Sequence, residues 1–223
     1  MNHFLRGVAR ASAESFSLPE PIVEMGSFQV QGQESIADLR NFFPGKKYIG
    51  IDMRQGPGVD CVTDVENLPF RTASVGTVIA MNLFEHVPRF WRGFEEVYRI
   101  LRQGGVFLVA CPFYFHVHEY PSDYWRFTTH ALDVLMADYS HRIIGTNGPL
   151  NRYLFVWGLS FKGACPDLNV RIEQYQENLK LYAKEPLRWS RIFRYNVASF
   201  LGCGRGPFSP YLDQGIWRLE VRP

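Results

Sequence analysis

The chain has 223 residues, 46% of them hydrophobic and 21% charged, enough length and apolar content for one globular domain with a substantial core. A net charge of +2 with no basic cluster argues against nucleic acid or an anionic membrane as partner. Cys61, Cys111, Cys165 and Cys203 stand far apart with no C-x-x-C pair, and no apolar run approaches a membrane span, so reduced thiols in a cytoplasmic protein are expected.

Residues 1–18 read as a helical arm, with Phe4, Leu5, Val8 and Ala9 on one face, serving as a lid or for packing. Pro19-Glu20-Pro21 stops it, and Ile22-Val23-Glu24-Met25 reads as a first strand followed by a Gly26-Ser27 turn, where a cofactor would pass. Ala37, Leu39, Phe42 and Phe43 predict a helix ending at Pro44-Gly45. Tyr48-Ile49-Gly50-Ile51-Asp52 is an apolar run that ends abruptly in a carboxylate. That pattern suits a strand buried on both faces, with its acid at the sheet edge where ligands bind in open α/β folds. Val59 to Thr63 reads as a third strand, again ending in an acid, Asp64; Ser74 to Met81 reads as a fourth. From Pro88 a helix is expected, with the stripe Phe90, Phe94, Val97 and Leu101, closed by left-handed Gly104-Gly105 before a fifth strand, Val106 to Cys111.

Residues 112–127 form an aromatic loop, and a helix from Thr128 places Leu132, Leu135, Met136 and Tyr139 inward. Ile143-Ile144 suggests a short strand. Helical stripes follow at Ile172, Tyr175, Leu179 and Tyr182, halted by Pro186, and at Trp189 to Leu201. Ile216 to Val221 alternates apolar and charged, as a half-exposed antiparallel strand does. The expected architecture is α/β: a doubly wound, mostly parallel sheet of about seven strands with the last antiparallel. Residues 19–145 would form a cofactor-binding core, 146–215 a helical insertion that could cap an acceptor, and 216–223 the final strand.

Three acids, Glu24, Asp52 and Asp64, fall at or near the ends of successive strands. This arrangement fits adenosine, with Asp52 accepting ribose hydroxyls and Asp64 the exocyclic amine of adenine. A dinucleotide would need G-x-G-x-x-G at the first turn to bring backbone amides to its pyrophosphate. Here the turn reads Gly26-Ser27-Phe28-Gln29-Val30-Gln31-Gly32, with Phe28 where the second glycine should stand. S-adenosylmethionine has no phosphate, and its ammonium can be anchored by a strand-end acid such as Glu24. The missing glycines therefore count against NAD more than against S-adenosylmethionine. The sequence Gly202-Cys203-Gly204-Arg205-Gly206 mimics the glycine motif but lacks a preceding strand, and Pro207 and Pro210 stand where a helix should start, so it reads as a loop.

The blocks Ile22 to Ser27, Tyr48 to Asp52, Asp64-Val65-Glu66-Asn67-Leu68-Pro69-Phe70, Leu83-Phe84-Glu85-His86-Val87 and Arg99 to Gly105 resemble, in this order, the class I S-adenosylmethionine-dependent methyltransferases. Asp123-Tyr124-Trp125-Arg126-Phe127-Thr128 resembles a block of a bacterial subgroup. The resemblance spans about residues 20–140 and implies a Rossmann-like fold. It also implies S-adenosylmethionine as cofactor, S-adenosylhomocysteine as product, and a cofactor site of Glu24, Gly26, Ser27, Asp52, Met53, Asp64, Val65 and Asn82. The chain departs from the family at Phe28 and Val30, at Gly76 where aspartate is usual, and at Gln103 where proline is usual.

Methyl transfer is an in-line displacement that needs donor and acceptor held together, with a base when the acceptor is a hydroxyl. The acceptor side is expected in the 112–127 loop. His118 is the candidate general base, Asp123 the group that orients it, and His86 the second choice. His116, His118 and Glu119 alternate along an extended loop and point opposite ways, so no metal site is expected. The expected activity is O-methylation of a small-molecule acceptor, a glycan or natural product, without nucleic acid or membrane, and with a homodimer as the oligomer to test for. The rival reading is a non-catalytic methyltransferase-like scaffold whose degenerate turn has lost the cofactor.

Overall fold

The computed structural model describes residues 2–118, 122–149, 152–184, 189–201 and 217–223. Among them, eight strands form one sheet: β1 Ile22–Met25, β2 Tyr48–Asp52, β3 Cys61–Val62, β4 Val75–Met81, β5 Leu101–Pro112, β6 His141–Asn147, β7 Phe155–Lys162 and β8 Trp217–Arg222. Their order is β3-β2-β1-β4-β5-β7-β6-β8. The five strands from β3 to β5 pair in parallel, β7 lies antiparallel between β5 and β6, and β8 is antiparallel to β6. The chain leaves β1 on one side for β2 and β3 and returns on the other as β4. The crevice beyond the carboxyl ends of β1, β2 and β4 is thus the topological switch point where ligands bind in such sheets.

Alternate side chains on the central strands feed two cores. Ile79, Val106 and Leu108 pack toward helices α1 (His3–Ser15) and α5 (Leu168–Tyr182), while Val78, Phe107 and Val109 pack toward α3 (Phe90–Ile100) and α4 (Thr129–Leu135). The N-terminal arm is therefore a layer of the core and not a lid: Phe4, Leu5 and Val8 are buried, and Phe4 meets Trp157 edge-on at 5.5 Å. A Cβ on Gly7 would sit 2.1 Å from the Tyr182 carbonyl, so the close crossing of α1 and α5 requires glycine there.

Several expectations are corrected. The segment 146–215 is not wholly helical, because β7 lies within it and is buried along nearly its whole length. The sheet accordingly has eight strands, and the antiparallel final strand expected at Ile216 to Val221 is present as the edge strand β8. α5 buries Ile172, Tyr175 and Leu179 in the α1 layer and is no acceptor cap; the remaining helix, α6 (Trp189–Leu201), exposes Trp189, Phe193 and Phe200. The single helix expected before Pro44 is one α-turn, α2 (Glu34–Ala37), and a separate 3-10 turn, Arg40–Phe42. It breaks at Asp38, whose backbone is extended and whose Oδ1 accepts the Arg40 amide at 2.9 Å, a local bond that competes with the helix. Gly104, left-handed at φ +74°, does not end α3, which stops at Ile100; it lies within β5, where the pairing with β4 shifts register. The glycine-rich sequence at 202–206 lies outside the described residues.

Candidate active site

A cavity of about 430 Å³ opens at the switch point, lined by Glu24, Gly26, Ser27 and Phe28 after β1, Asp52 and Met53 after β2, Val65, and Asn82, Leu83 and His86 after β4. Of the cofactor residues expected from sequence, Glu24, Gly26, Ser27, Asp52, Met53, Val65 and Asn82 line it together. Asp64 does not: it is exposed, and its Oδ1 accepts the Glu66 amide at 2.9 Å, closing a turn.

Asp52 is 8% exposed and sits where the β1 turn and the β2–β3 connection meet. Its Oδ2 accepts the Phe28 amide at 3.3 Å, and its Oδ1 accepts Arg54 N at 3.0 Å and Arg54 Nε at 3.2 Å. The Arg54 guanidinium also lies over the Phe28 ring, 4.2 Å from its centroid. Phe28 explains how the turn manages without its glycines, because the clearance is supplied from the facing loop. A Cβ on Gly56 would be 2.4 Å from Phe28 Cε2, and one on Gly58 would be 2.4 Å from the Ser27 carbonyl. The glycines at this crossing, Gly56 and Gly58, lie in the segment that packs on the β1 turn. Gly76 has a similar local cause: the Pro19 carbonyl lies 2.3 Å from where its Cβ would be.

Glu24 is 9% exposed and accepts the Tyr48 hydroxyl at 2.8 Å. Arg40 lies 5.1 Å from the Tyr48 ring centroid and is itself held by Asp60 at 2.5 Å. Burial outweighs these favourable contacts and raises the Glu24 carboxyl to about 7, while burial and the neighbouring Glu24 push the Tyr48 phenol well up. Because the folded value exceeds the unfolded one, Glu24 contributes stability that is full below its ordinary range and is lost as pH rises through about 7. The span corresponds to on the order of 3 kcal/mol. A ligand ammonium pairs with the ionised form, so S-adenosylhomocysteine should bind more tightly as pH rises from 6 to 8. Glu24→Gln should flatten both trends, which calorimetric titration and urea unfolding across that pH range would check.

Two buried polar atoms in the cavity wall, Ser27 Oγ and Asn82 Oδ1, have no hydrogen-bond partner within the protein. Asn82 also adopts φ +52°, a strained position for a side-chain-bearing residue that is kept by the hydrogen bond its backbone N–H donates to the Ala110 carbonyl at 2.9 Å. Orphaned acceptors and a strained backbone around a cavity are what a polar ligand would satisfy. The set of carboxylates, hydroxyl and amide, without a phosphate-binding nest, fits a nucleoside bearing an amino acid.

The wall beyond Asn82 carries the expected catalytic residues in a different order of prominence. His86 lines the cavity; His118 and Asp123 do not, and His118 stands behind His86 with the ring centroids 4.9 Å apart and edge-to-face. His86 Nδ1 lies 2.7 Å from the Ser122 carbonyl, so that nitrogen carries the proton and Nε2 keeps the lone pair. Burial lowers the His86 pKa, which keeps the ring neutral at pH 7. Asp123 accepts the His118 amide at 2.9 Å and both Arg126 Nη groups, and its Oδ2 is 3.0 Å from His118 Nδ1. His116 is exposed and stacks on Phe115, with its ring centroid 6.2 Å from that of His118, while Glu119 lies outside the described residues. Much of the aromatic loop is packing: Phe127 is buried, and Trp125 Nε1 donates to the Val87 carbonyl at 3.1 Å. Glu85, not singled out from sequence, is fully buried beside His86; the adjacent acid and imidazole within Leu83 to Val87 are the available signal.

Residues 33–109 match the family model described as a methyltransferase domain. Over those residues the chain is similar to that family. Its cofactor is S-adenosylmethionine, and the domain is that of an enzyme. Among solved structures, the domain is similar to a chain of the complex between the Haloferax volcanii Trm112 methyltransferase activator and a methyltransferase, at 17% identity and TM-score 0.51, covering 73% of this chain and 91% of that one. It is similar to an S-adenosylmethionine-dependent methyltransferase from Thermotoga maritima at 19% identity and TM-score 0.50, covering 71% and 92%. It is also similar to the YcgJ protein from Bacillus subtilis at 13% identity and TM-score 0.52, covering 73% and 100%. At these identities the likeness shows the fold, a mostly parallel Rossmann-like sheet with antiparallel strands at one end. No curated protein sequence matches the chain. No helix among the described residues is long and apolar enough to cross a membrane.

Proposed function

We propose that this methyltransferase domain acts on an oxygen of a small-molecule acceptor, a glycan or a natural product. When bound, S-adenosylmethionine supplies an electrophilic methyl carbon on a sulfonium. Asp52 accepts the ribose hydroxyls, Glu24 holds the ammonium, Ser27 and Asn82 hydrogen-bond the amino-acid portion, and Met53 and Val65 flank the base. His86 faces the acceptor, with His118 behind it and Asp123 positioning His118. The single observation that carries this reading is the convergence of Glu24, Asp52 and the orphaned Ser27 and Asn82 oxygens on a cavity whose far wall is His86. The Asp123 to Thr128 block supports the bacterial subgroup, and the near-neutral charge supports a small acceptor over nucleic acid.

Thermal melting with S-adenosylmethionine and S-adenosylhomocysteine tests the reading. Ligand at 100 times Kd stabilises the native state by about 2.7 kcal/mol. For a chain of this size that corresponds to a rise in Tm of roughly 5–10 °C. Transfer of labelled methyl to hydroxylated acceptors then identifies the acceptor class. No shift with either ligand at millimolar concentration would leave the non-catalytic scaffold as the better description.

A further inference from the structure

We infer that Glu85, His86 and His118 form a binding site for one divalent first-row transition ion, zinc or a metal of similar preference, at the acceptor wall of the cavity. The ligand-capable atoms of the three side chains lie within 4.8 Å of one another. Glu85 Oε1 and His86 Nε2 are 3.8 Å apart. An ion with bonds of about 2.0–2.1 Å reaches two donors at that separation.

Glu85 supplies the independent observation. Its side chain is 0% exposed, and both carboxyl oxygens are buried without a hydrogen-bond partner. Buried carboxyl oxygens without partners are rare in folded proteins and call for a reason. Arg126 does not supply one, since its guanidinium is committed to Asp123 and to the carbonyls of Phe115, His116 and Trp125. His86 carries the outer contact that fixes a metal-binding histidine: it gives its Nδ1 proton to the Ser122 carbonyl and leaves Nε2 toward Glu85. His118 Nδ1 lies 3.0 Å from Asp123 Oδ2 without a hydrogen bond.

Two imidazoles and one carboxylate make an N₂O donor set, which suits zinc and its neighbours over magnesium or calcium. Three protein ligands leave positions open, and His86 puts them next to the cavity. An oxygen of the acceptor is the ligand those positions would take. That last step rests on the methyltransferase reading; the ion site does not. The ligands come from the turn after β4 and the loop after β5, so the two histidines are brought together by the fold and not by alternation along one loop.

The test uses the tag-free full chain, stripped with chelator and titrated with Co²⁺ while its visible d–d absorption is followed. S-adenosylhomocysteine binding is measured in parallel by thermal shift. The expected result is a saturable band at one Co²⁺ per chain, removed by Zn²⁺. Glu85→Gln should weaken Co²⁺ by more than about 100-fold, beyond the roughly 10–100-fold that loss of an outer partner causes. His118→Gln on the partly exposed loop should do the same, and covers the case in which Glu85→Gln does not fold. His116→Ala, an exposed histidine outside the cluster, should leave the titration unchanged. Absence of a saturable band in the wild type, or a band that survives both ligand substitutions, overturns the site. Cobalt binding without a nucleoside shift would instead retain the site and remove the methyltransferase reading.

Discussion

Asp52→Asn is expected to weaken S-adenosylhomocysteine by about 100-fold or more while Asp64→Asn changes it little. Hydrogen bonds to a charged group contribute about 1.5–3 kcal/mol each, and a ribose offers Asp52 two of them. The neutral amide keeps one acceptor but turns its NH₂ toward either the Phe28 amide, now 3.3 Å from Oδ2, or Arg54 on Oδ1. Part of the wild-type affinity must be spent in displacing Arg54 Nε from Oδ1, so the net effect sits near the lower end of the sum. The Arg54 backbone amide can stay, since a carboxylate oxygen accepts more than one donor. Asp64 behaves differently because its side chain closes a turn outside the cavity, with Val65 the residue of that pair that lines the cavity. Isothermal titration of both variants decides the matter. Equal losses would place the adenine beyond the cavity wall, at Asp64; no loss in Asp52→Asn would remove the nucleoside from this end of β2.

The parts of the molecule that were legible in the chain are those where one local rule acts alone. Tyr48 to Asp52 was legible to the residue, because an apolar run ending in a carboxylate has few other uses, and the same logic found Glu24. β7 was not, although Leu154-Phe155-Val156-Trp157-Gly158-Leu159 is nearly all apolar. A strand buried on both faces has no alternation, and the helical stripes after it drew the whole segment into their class. Asp38 shows the reverse failure: its apolar neighbours have helical spacing, but a side-chain bond to Arg40 breaks the helix, and spacing does not report that. The acceptor wall was half legible. His86, His118 and Asp123 were picked for their chemistry, yet which histidine faces the cavity depends on how the loop after β5 folds back over the turn after β4. Beyond the adjacent histidine, nothing in the sequence around Glu85 sets it apart from an ordinary glutamate. Only burial, a property of the whole fold, makes it unusual.

Asp123→Ala should destabilise the protein by about 3 kcal/mol at pH 7, lowering Tm by roughly 6–12 °C. The side chain is 1% exposed and receives the Arg126 guanidinium on both oxygens, with Nη2 at 2.6 Å, together with the His118 amide at 2.9 Å. Removing it leaves a partly buried guanidinium without its counter-charge. The Trp125 and His116 carbonyls, at 2.8 and 3.1 Å, satisfy some of its donors, and the 24% exposure of Arg126 admits solvent, so the loss stays at the low end of the cost of breaking a buried pair. The pH dependence identifies the cause. Arg126 holds the Asp123 carboxyl well below the usual carboxylate range, so its contribution is complete above about pH 4 and is lost as the medium becomes more acidic. The difference between wild type and variant, measured by urea unfolding, should therefore be constant from pH 7 to pH 5 and shrink below pH 4. The loop itself should remain docked, since Trp125 Nε1 still donates to the Val87 carbonyl and Phe127 remains in the α3–α4 core. A difference below about 1 kcal/mol at pH 7 would mean that the backbone carbonyls alone hold Arg126, and that Asp123 serves His118 and not the stability of the loop.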